Sequence, residues 1–172
     1  WPAFCTAIGA TLITESAFHP FFHEIVRVEA APDPSEPPSL VAEHWPGAII
    51  GGMLLARAGV TIRAGADRVD AAVAVGSSLY WAWWRSYRPT VDLSHGWGHH
   101  SQWSTDFRRD YLVDGRLHYN VDADRTRPRD ADLDQADARQ LLRHRCSIRT
   151  DLGPDQWPFD ETYIEDSPTA RR

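Results

Sequence analysis

Three histidines lie within six residues of one glycine-containing segment. His95, His99 and His100 fall in residues 94–106, which read SHGWGHHSQWSTD. Imidazole is the commonest neutral metal ligand in proteins and the usual general acid or base near neutral pH. The two glycines of the segment allow a tight loop in which imidazoles can converge. These three histidines are therefore the candidate catalytic residues of the chain.

The same segment supplies an incomplete set of metal ligands. A zinc site needs three or four ligands, and His95, His99 and Asp106 are the candidates, which Asp92 or the distant His118 could complete. Adjacent residues of an extended chain point in opposite directions, so only one of His99 and His100 joins His95. Since no known zinc spacing is matched, we predict no bound cofactor, with zinc or another divalent metal as the alternative.

Tryptophan is concentrated next to these histidines. Five of the eight tryptophans fall within 23 consecutive positions, at 81, 83, 84, 97 and 103. Tryptophan and arginine anchor interfaces because each buries a large area and keeps a polar group. We expect at least half of the tryptophans in the core, and the others on a surface or cleft within residues 79–106. The candidate ligand- or partner-binding residues are Trp81, Trp83, Arg85, Trp97, Gln102 and Trp103.

Other motifs fail on their spacing. His19 and His23 form an H-x-x-x-H pair, but Pro20 occupies the position where zinc hydrolases carry a glutamate, so we predict structural histidines. The acidic runs at 120–124 and 130–134 lack the glycine and the bidentate glutamate of a calcium loop. Cys5 and Cys146 have no metal-type spacing and are predicted to be free thiols.

Charge and hydropathy narrow the class of partner. The chain carries 18 basic and 24 acidic residues, a net charge of −6, and every basic residue is arginine, a pattern typical of GC-rich genomes. A net-acidic protein is a poor general binder of nucleic acid, because phosphate contacts need a positive field. The longest uncharged stretches have 14 residues, short of a membrane span. We expect a bacterial, cytoplasmic protein whose partner is a protein or a small molecule, in an oligomeric state that the sequence leaves open.

Hydrophobic patterns predict several helices around a small sheet. Helices are predicted over residues 2–12, 46–58, 67–75 and 133–146, and strands over 24–30 and 60–63. Residues 46–58 are almost wholly apolar and fit a buried helix that ends at Gly59. Residues 79–88 fit either a strand or a helical stripe. If they form a strand, Trp81, Trp83 and Arg85 share one face.

The strongest local signal is a hairpin. Asp114 and Gly115 separate two runs, 107–113 and 116–121, that are rich in Tyr, Val, Leu and Phe. Aspartate and glycine both accept the positive φ that a two-residue turn requires. The complete prediction is an α+β fold: one domain over residues 1–166 with a mostly antiparallel sheet and three to four helices. A flexible tail follows at residues 167–172.

These features predict a non-catalytic binding module that uses the surface at 79–106 to hold a protein or a small ligand. The small, acidic, Trp-rich composition is similar to that of proteins that neutralise bacterial toxins, an analogy of composition alone. The alternative is a small enzyme with its site in the same region. In that case His95, His99 or His100 serves as general base or metal ligand, and Arg88 or Arg109 holds an anion.

Overall fold

The computed structural model describes residues 1–72, 74, 109–121, 142–143 and 162–168. Of these residues, 44% are in β-strands. One short helix, α1 (Pro2–Ala7), precedes the sheets. The strands in the described ranges are β1 (Thr11–Leu12), β2 (His23–Ala30), β3 (Ser39–Trp45), β4 (Ala48–Ile50), β5 (Met53–Ala56), β6 (Ala58–Ala64), β7 (Tyr111–Val113), β8 (Arg116–Tyr119) and β9 (Tyr163–Asp166).

The predicted α+β fold with three to four helices is wrong, since the described residues are mostly β-structure with one short helix. The largest error is the buried helix predicted over residues 46–58. That segment forms β4, a turn at Gly51 and Gly52, and β5, and it runs directly into β6. The two glycines adopt φ of 55° and 84°, which a helix does not allow. A wholly apolar run has no period, so its length alone suggested a helix.

The other predicted helices are shortened or lie largely outside the described residues. The first ends at Ala7 instead of residue 12, because Gly9 turns the chain at φ 76° and β1 follows. In the range 67–75, Ala71, Ala72 and Ala74 are helical, with the Ala74 N–H bonded to the Asp70 carbonyl. The ranges 79–88 and 133–146 lie outside the described residues, apart from two helical residues at 142 and 143.

The strand predictions and the hairpin are confirmed within the described residues. β2 covers the alternating run at 24–30, and β6 contains the predicted strand at 60–63. Asp114 and Gly115 join β7 to β8 with φ of 49° and 72°, both in the left-handed region. The Ser167 N–H donates to the Gly115 carbonyl at 2.8 Å, which holds the end of β9 on this turn.

Among the described residues, one sheet has three strands in the order β2-β6-β3. β6 is parallel to β2 and antiparallel to β3, and it lies in the centre with its residues buried except Arg63. Its even-numbered residues pack into an apolar core with Ile25 of β2 and Val69. Among the described strands, β3 lies at an edge of this sheet, and its pairing with β6 slips twice, past Val41 and past His44. Such bulges increase the twist of an edge strand.

The second sheet has six strands within the described parts of the chain, in the order β1-β4-β5-β7-β8-β9, all paired antiparallel. A second core lies on it, where Phe21 and Phe22 pack against Leu117 and Tyr119 of β8. The Phe21 and Tyr119 rings meet edge to face, with their centroids 5.3 Å apart. The segment before β2 therefore connects the two sheets. No helix in the described parts of the chain is long and apolar enough to span a membrane.

Candidate functional site

The site predicted from the sequence lies outside the described residues. This applies to the candidate histidines, to the candidate binding residues and to the proposed metal ligand, so their roles stay predictions: His95, His99, His100, Trp81, Trp83, Arg85, Trp97, Gln102, Trp103 and Asp106. Asp92 and Arg88 also fall there. His118 lies half-buried on β8, and Arg109 is exposed just before β7. Within the described residues, no group of three His, Cys, Asp or Glu side chains is placed to hold a metal ion.

His19 and His23 form a local turn rather than a metal pair. His23 is the first residue of β2, so the two imidazoles are not on one helix face. The His19 N–H donates to His23 Nδ1 at 3.0 Å, and the Phe21 N–H donates to His19 Nδ1 at 3.2 Å. Each imidazole thus uses its Nδ1 within the turn, and His23 Nδ1 also lies 3.1 Å from the His19 carbonyl oxygen. The prediction of structural histidines agrees with this geometry.

Glu165 of β9 joins three segments that are distant in sequence. Its Oε1 accepts the Tyr119 hydroxyl at 2.6 Å, and its Oε2 lies 3.0 Å from Arg143 Nε. His19 Nε2 lies 3.7 Å from Oε1, beyond a hydrogen bond but within reach of the charge. The side chains of His19 and Glu165 are 16% and 15% exposed, so water screens the carboxylate only weakly. Residues 19, 119, 143 and 165 are referred to below as the Glu165 cluster.

Burial decides the protonation of two members of the Glu165 cluster. It lowers the pKa of His19 from 6.5 to about 4, since the attraction of Glu165 only partly offsets desolvation and Arg143 opposes the charge. His19 is therefore neutral at physiological pH. With Nδ1 accepting the Phe21 N–H, its proton is on Nε2, on the side of Glu165. Burial, followed by the hydrogen bond to Glu165, raises the pKa of the Tyr119 hydroxyl far above its ordinary value.

A buried ion pair lies between the two sheets. Arg57, between β5 and β6, places Nη2 2.6 Å from Asp110 Oδ2, and the two side chains are 7% and 3% exposed. Arg57 Nε also donates to the Pro20 carbonyl at 3.1 Å. The second carboxylate oxygen of Asp110 accepts the Asn120 N–H at 2.9 Å. Both charges have hydrogen-bonding partners, which is what makes a buried pair tolerable. This pair fixes the β5–β6 connection beside the β7–β8 hairpin.

The exposed face of the three-stranded sheet carries an aromatic platform. The Trp45 ring lies directly over Gly59 of β6, in the space that a Cβ at this position would occupy. Its indole N–H donates to the Arg57 carbonyl at 3.2 Å, and Trp45 remains 41% exposed. His44 lies beside it, with Nε2 2.8 Å from the Thr61 hydroxyl. The ring is thus fixed by a glycine below it and a hydrogen bond at its edge.

Strand register places one carboxylate across the sheet from this ring. Gly59 is opposite Glu24 on β2 and Trp45 on β3, and residues opposite each other share a face. Glu24 is half-buried and makes no ion pair with the other described residues. Further along the same face, Glu29 of β2 is opposite Arg63 of β6. Trp45, Gly59 and Glu24 are referred to below as the Trp45 row.

Sequence reasoning missed both constellations. Glu165 and Tyr119 meet through a pairing between β8 and β9 that spans 46 residues, and no local pattern indicates it. The Trp45 row depends on β3, whose residues are exposed except Leu40 and therefore lack the alternation of a half-buried strand. Comparison of the chain with protein-family models, with curated proteins and with solved structures gave no match.

Proposed function

We propose that this chain is a non-catalytic binding module of the bacterial cytosol that holds a basic protein partner. Its aromatic- and histidine-rich segment, residues 79–106, forms the main contact surface. The observation that carries the proposal is the Trp45 platform, a large ring held in place by the fold and yet 41% exposed. Because the ring is already ordered, a partner that covers it gains buried area without the cost of ordering it.

The described polar groups support binding over catalysis. Glu165 accepts hydrogen bonds from Tyr119 and Arg143, and the imidazoles of His19 and His23 accept backbone N–H groups. The contacts of Glu165 join segments that are distant in sequence, and those of the two imidazoles hold a local turn, as expected of a scaffold. A general base would instead need a ring nitrogen directed at a substrate proton. The described part of the chain therefore acts as a frame for surface contacts.

Charge indicates the kind of partner. The net charge of −6 creates a negative field, which accelerates association with a basic protein and weakens as salt is added. The exposed aromatic side chains supply the apolar part of such an interface. Trp1 and Phe4 stack at 5.9 Å and are also half-exposed, with the Trp1 indole bonded to the Pro46 carbonyl, next to Trp45.

Affinity capture with variants tests the proposal. The tagged chain is incubated with lysate of its own source at low ionic strength, and bound proteins are eluted with salt and identified by mass spectrometry. The captured protein is then purified and bound again to the chain. We expect Trp97→Ala and Trp103→Ala to weaken this complex about 10-fold or more each, as hot-spot residues do. Val113→Ser, at an exposed position on β7, is the matched control and leaves the complex unchanged.

Two outcomes would count against the proposal. One is capture of no protein that binds again when purified; the other is a complex that both tryptophan variants form as well as the wild type. Elemental analysis of tag-free protein separates binding from metal-dependent catalysis. We expect no stoichiometric metal. One equivalent of zinc, iron or manganese that is lost on His95→Ala would favour the enzyme instead.

A further inference from the structure

The Trp45 row combines a fixed aromatic face with the carboxylate of Glu24, which makes no ion pair with the other described residues. The ring covers Gly59, and the glutamate of the neighbouring strand is opposite the same glycine. Neighbouring strands are about 4.8 Å apart, so Glu24 and Trp45 start roughly 10 Å apart on opposite sides of Gly59. The ring extends from β3 over Gly59 of β6, the strand that lies between β3 and β2. A ligand group that stacks on the Trp45 ring therefore comes within reach of the Glu24 carboxylate.

We propose that the Trp45 row is the recognition site for an arginine side chain of the basic partner, an inference that rests on the proposed function. The guanidinium plane stacks on the exposed face of the Trp45 ring, and its N–H groups pair with the Glu24 carboxylate. Arginine fits this site better than lysine because it is planar, stacks on aromatic rings and binds carboxylates through two parallel hydrogen bonds. The aromatic ring itself attracts a cation above its face.

The charges around the row agree with this assignment. Arg63, two rows away, is opposite Glu29, so those two charges offset each other across the strands. Arg27 is opposite Thr61 in the row between them. The Trp45 end of this face therefore carries the carboxylate of Glu24, with the exposed Arg27 one row away, and the opposite end carries a balanced pair. At the Trp45 end, the groups that attract a cation are Glu24 and the ring.

The hydrogen bonds of the row keep it ready for a ligand. The indole N–H is already bonded to the Arg57 carbonyl, so stacking on the ring does not leave it unsatisfied. His44 is held by Thr61 and its ring lies 6.4 Å from that of Trp45, at the side of the platform. The bulge at His44 twists β3 and limits the addition of a further strand at this edge. Contact through side chains is thus favoured over strand pairing.

Peptide titration tests the inference with the full chain. The probes are an octapeptide of alternating arginine and glycine and the matching peptides with lysine or citrulline, and chemical shifts of the indole N–H groups report binding. We expect the arginine peptide to shift the Trp45 signal, the lysine peptide to bind more weakly and the citrulline peptide not to bind. Trp45→Leu, which still covers Gly59, should weaken arginine binding about 10-fold. Glu24→Gln should weaken it about 5-fold, and Glu29→Gln should leave it unchanged.

The results separate this inference from the proposed function. Equal binding of the arginine and citrulline peptides, or wild-type binding by Trp45→Leu, overturns the inference even if a partner is captured. Absence of arginine-peptide binding to the wild type overturns it as well. Failure to capture any partner, with peptide binding at Trp45 intact, overturns only the proposed function. If Trp45→Leu does not fold, Glu24→Gln against Glu29→Gln decides the matter.

Discussion

The shortest side-chain contact of the Glu165 cluster is the hydrogen bond from the Tyr119 hydroxyl to the Glu165 carboxylate, at 2.6 Å. Tyr119 itself is completely buried. Tyr119→Phe keeps the packing against Phe21 and removes this bond. We expect the free energy of unfolding to fall by about 1–2 kcal/mol, measured by urea denaturation. Tyr111→Phe is the control, because that hydroxyl makes no hydrogen bond with the described residues. Equal losses for both variants would show that the contact with Glu165 contributes little.

The lowered pKa of His19 makes stability depend on pH. Its value is about 4 in the folded protein and 6.5 when unperturbed, so the unfolded chain binds more protons between these values. The free energy of unfolding is therefore highest above pH 6.5, where His19 is neutral in both states, and it falls as the pH is lowered towards 4. With solvent screening taken into account, we expect the free energy of unfolding to fall by roughly 2 kcal/mol over this pH range.

His19→Asn isolates this effect, since its side-chain oxygen still accepts the Phe21 N–H and does not titrate. Between pH 7 and pH 4 the variant should lose roughly 2 kcal/mol less stability than the wild type in urea titrations. His23, whose pKa burial also lowers, is present in both proteins and cancels in the comparison. Parallel pH profiles of the two proteins would contradict a neutral, buried His19.

At the scale of elements, patterns within a few consecutive residues predict secondary structure correctly, whereas pairings between distant strands leave no pattern in the sequence. The alternation in 24–30 predicted β2, and Asp114-Gly115 predicted the hairpin, because both features are contained in a few consecutive residues. The helix predicted over 46–58 is wrong because an almost wholly apolar run has no period, and the turn at Gly51 and Gly52 divides it into two strands. The exposed strand β3 and the pairing of β9 with β8 leave no periodic trace. Both candidate constellations depend on these two unpredicted strands.

The β7–β8 turn carries a prediction at this scale. Gly115 has φ of 72°, and its carbonyl accepts the Ser167 N–H, so the turn positions β9 and with it Glu165. Gly115→Ala should cost about 1 kcal/mol of stability in urea denaturation, because a Cβ is strained in the left-handed region. Asp114→Asn should be neutral, since asparagine accepts its φ of 49° equally well. A stable Gly115→Ala protein would mean that the turn relaxes without disturbing β9.

At the scale of the whole molecule, buried polar contacts hold two sheets together under a net-acidic surface. The Arg57–Asp110 pair fixes the β5–β6 connection beside the β7–β8 hairpin, and the Glu165 cluster connects the segment before β2 to β9. The Trp45 platform is consequently part of a fixed frame, since its indole is bonded to the carbonyl of Arg57 itself. Net charge, unlike these contacts, follows from composition alone, and the proposed class of partner rests on it.

The measurement that tests the proposed binding function most directly is calorimetric titration of the purified chain with its captured partner at low and at high salt. We predict saturable binding of fixed stoichiometry by a basic protein, with a Kd that rises about 10-fold or more between roughly 50 and 500 mM salt. Binding that does not saturate, or a Kd that salt leaves unchanged, would contradict an acidic module built to hold a basic protein.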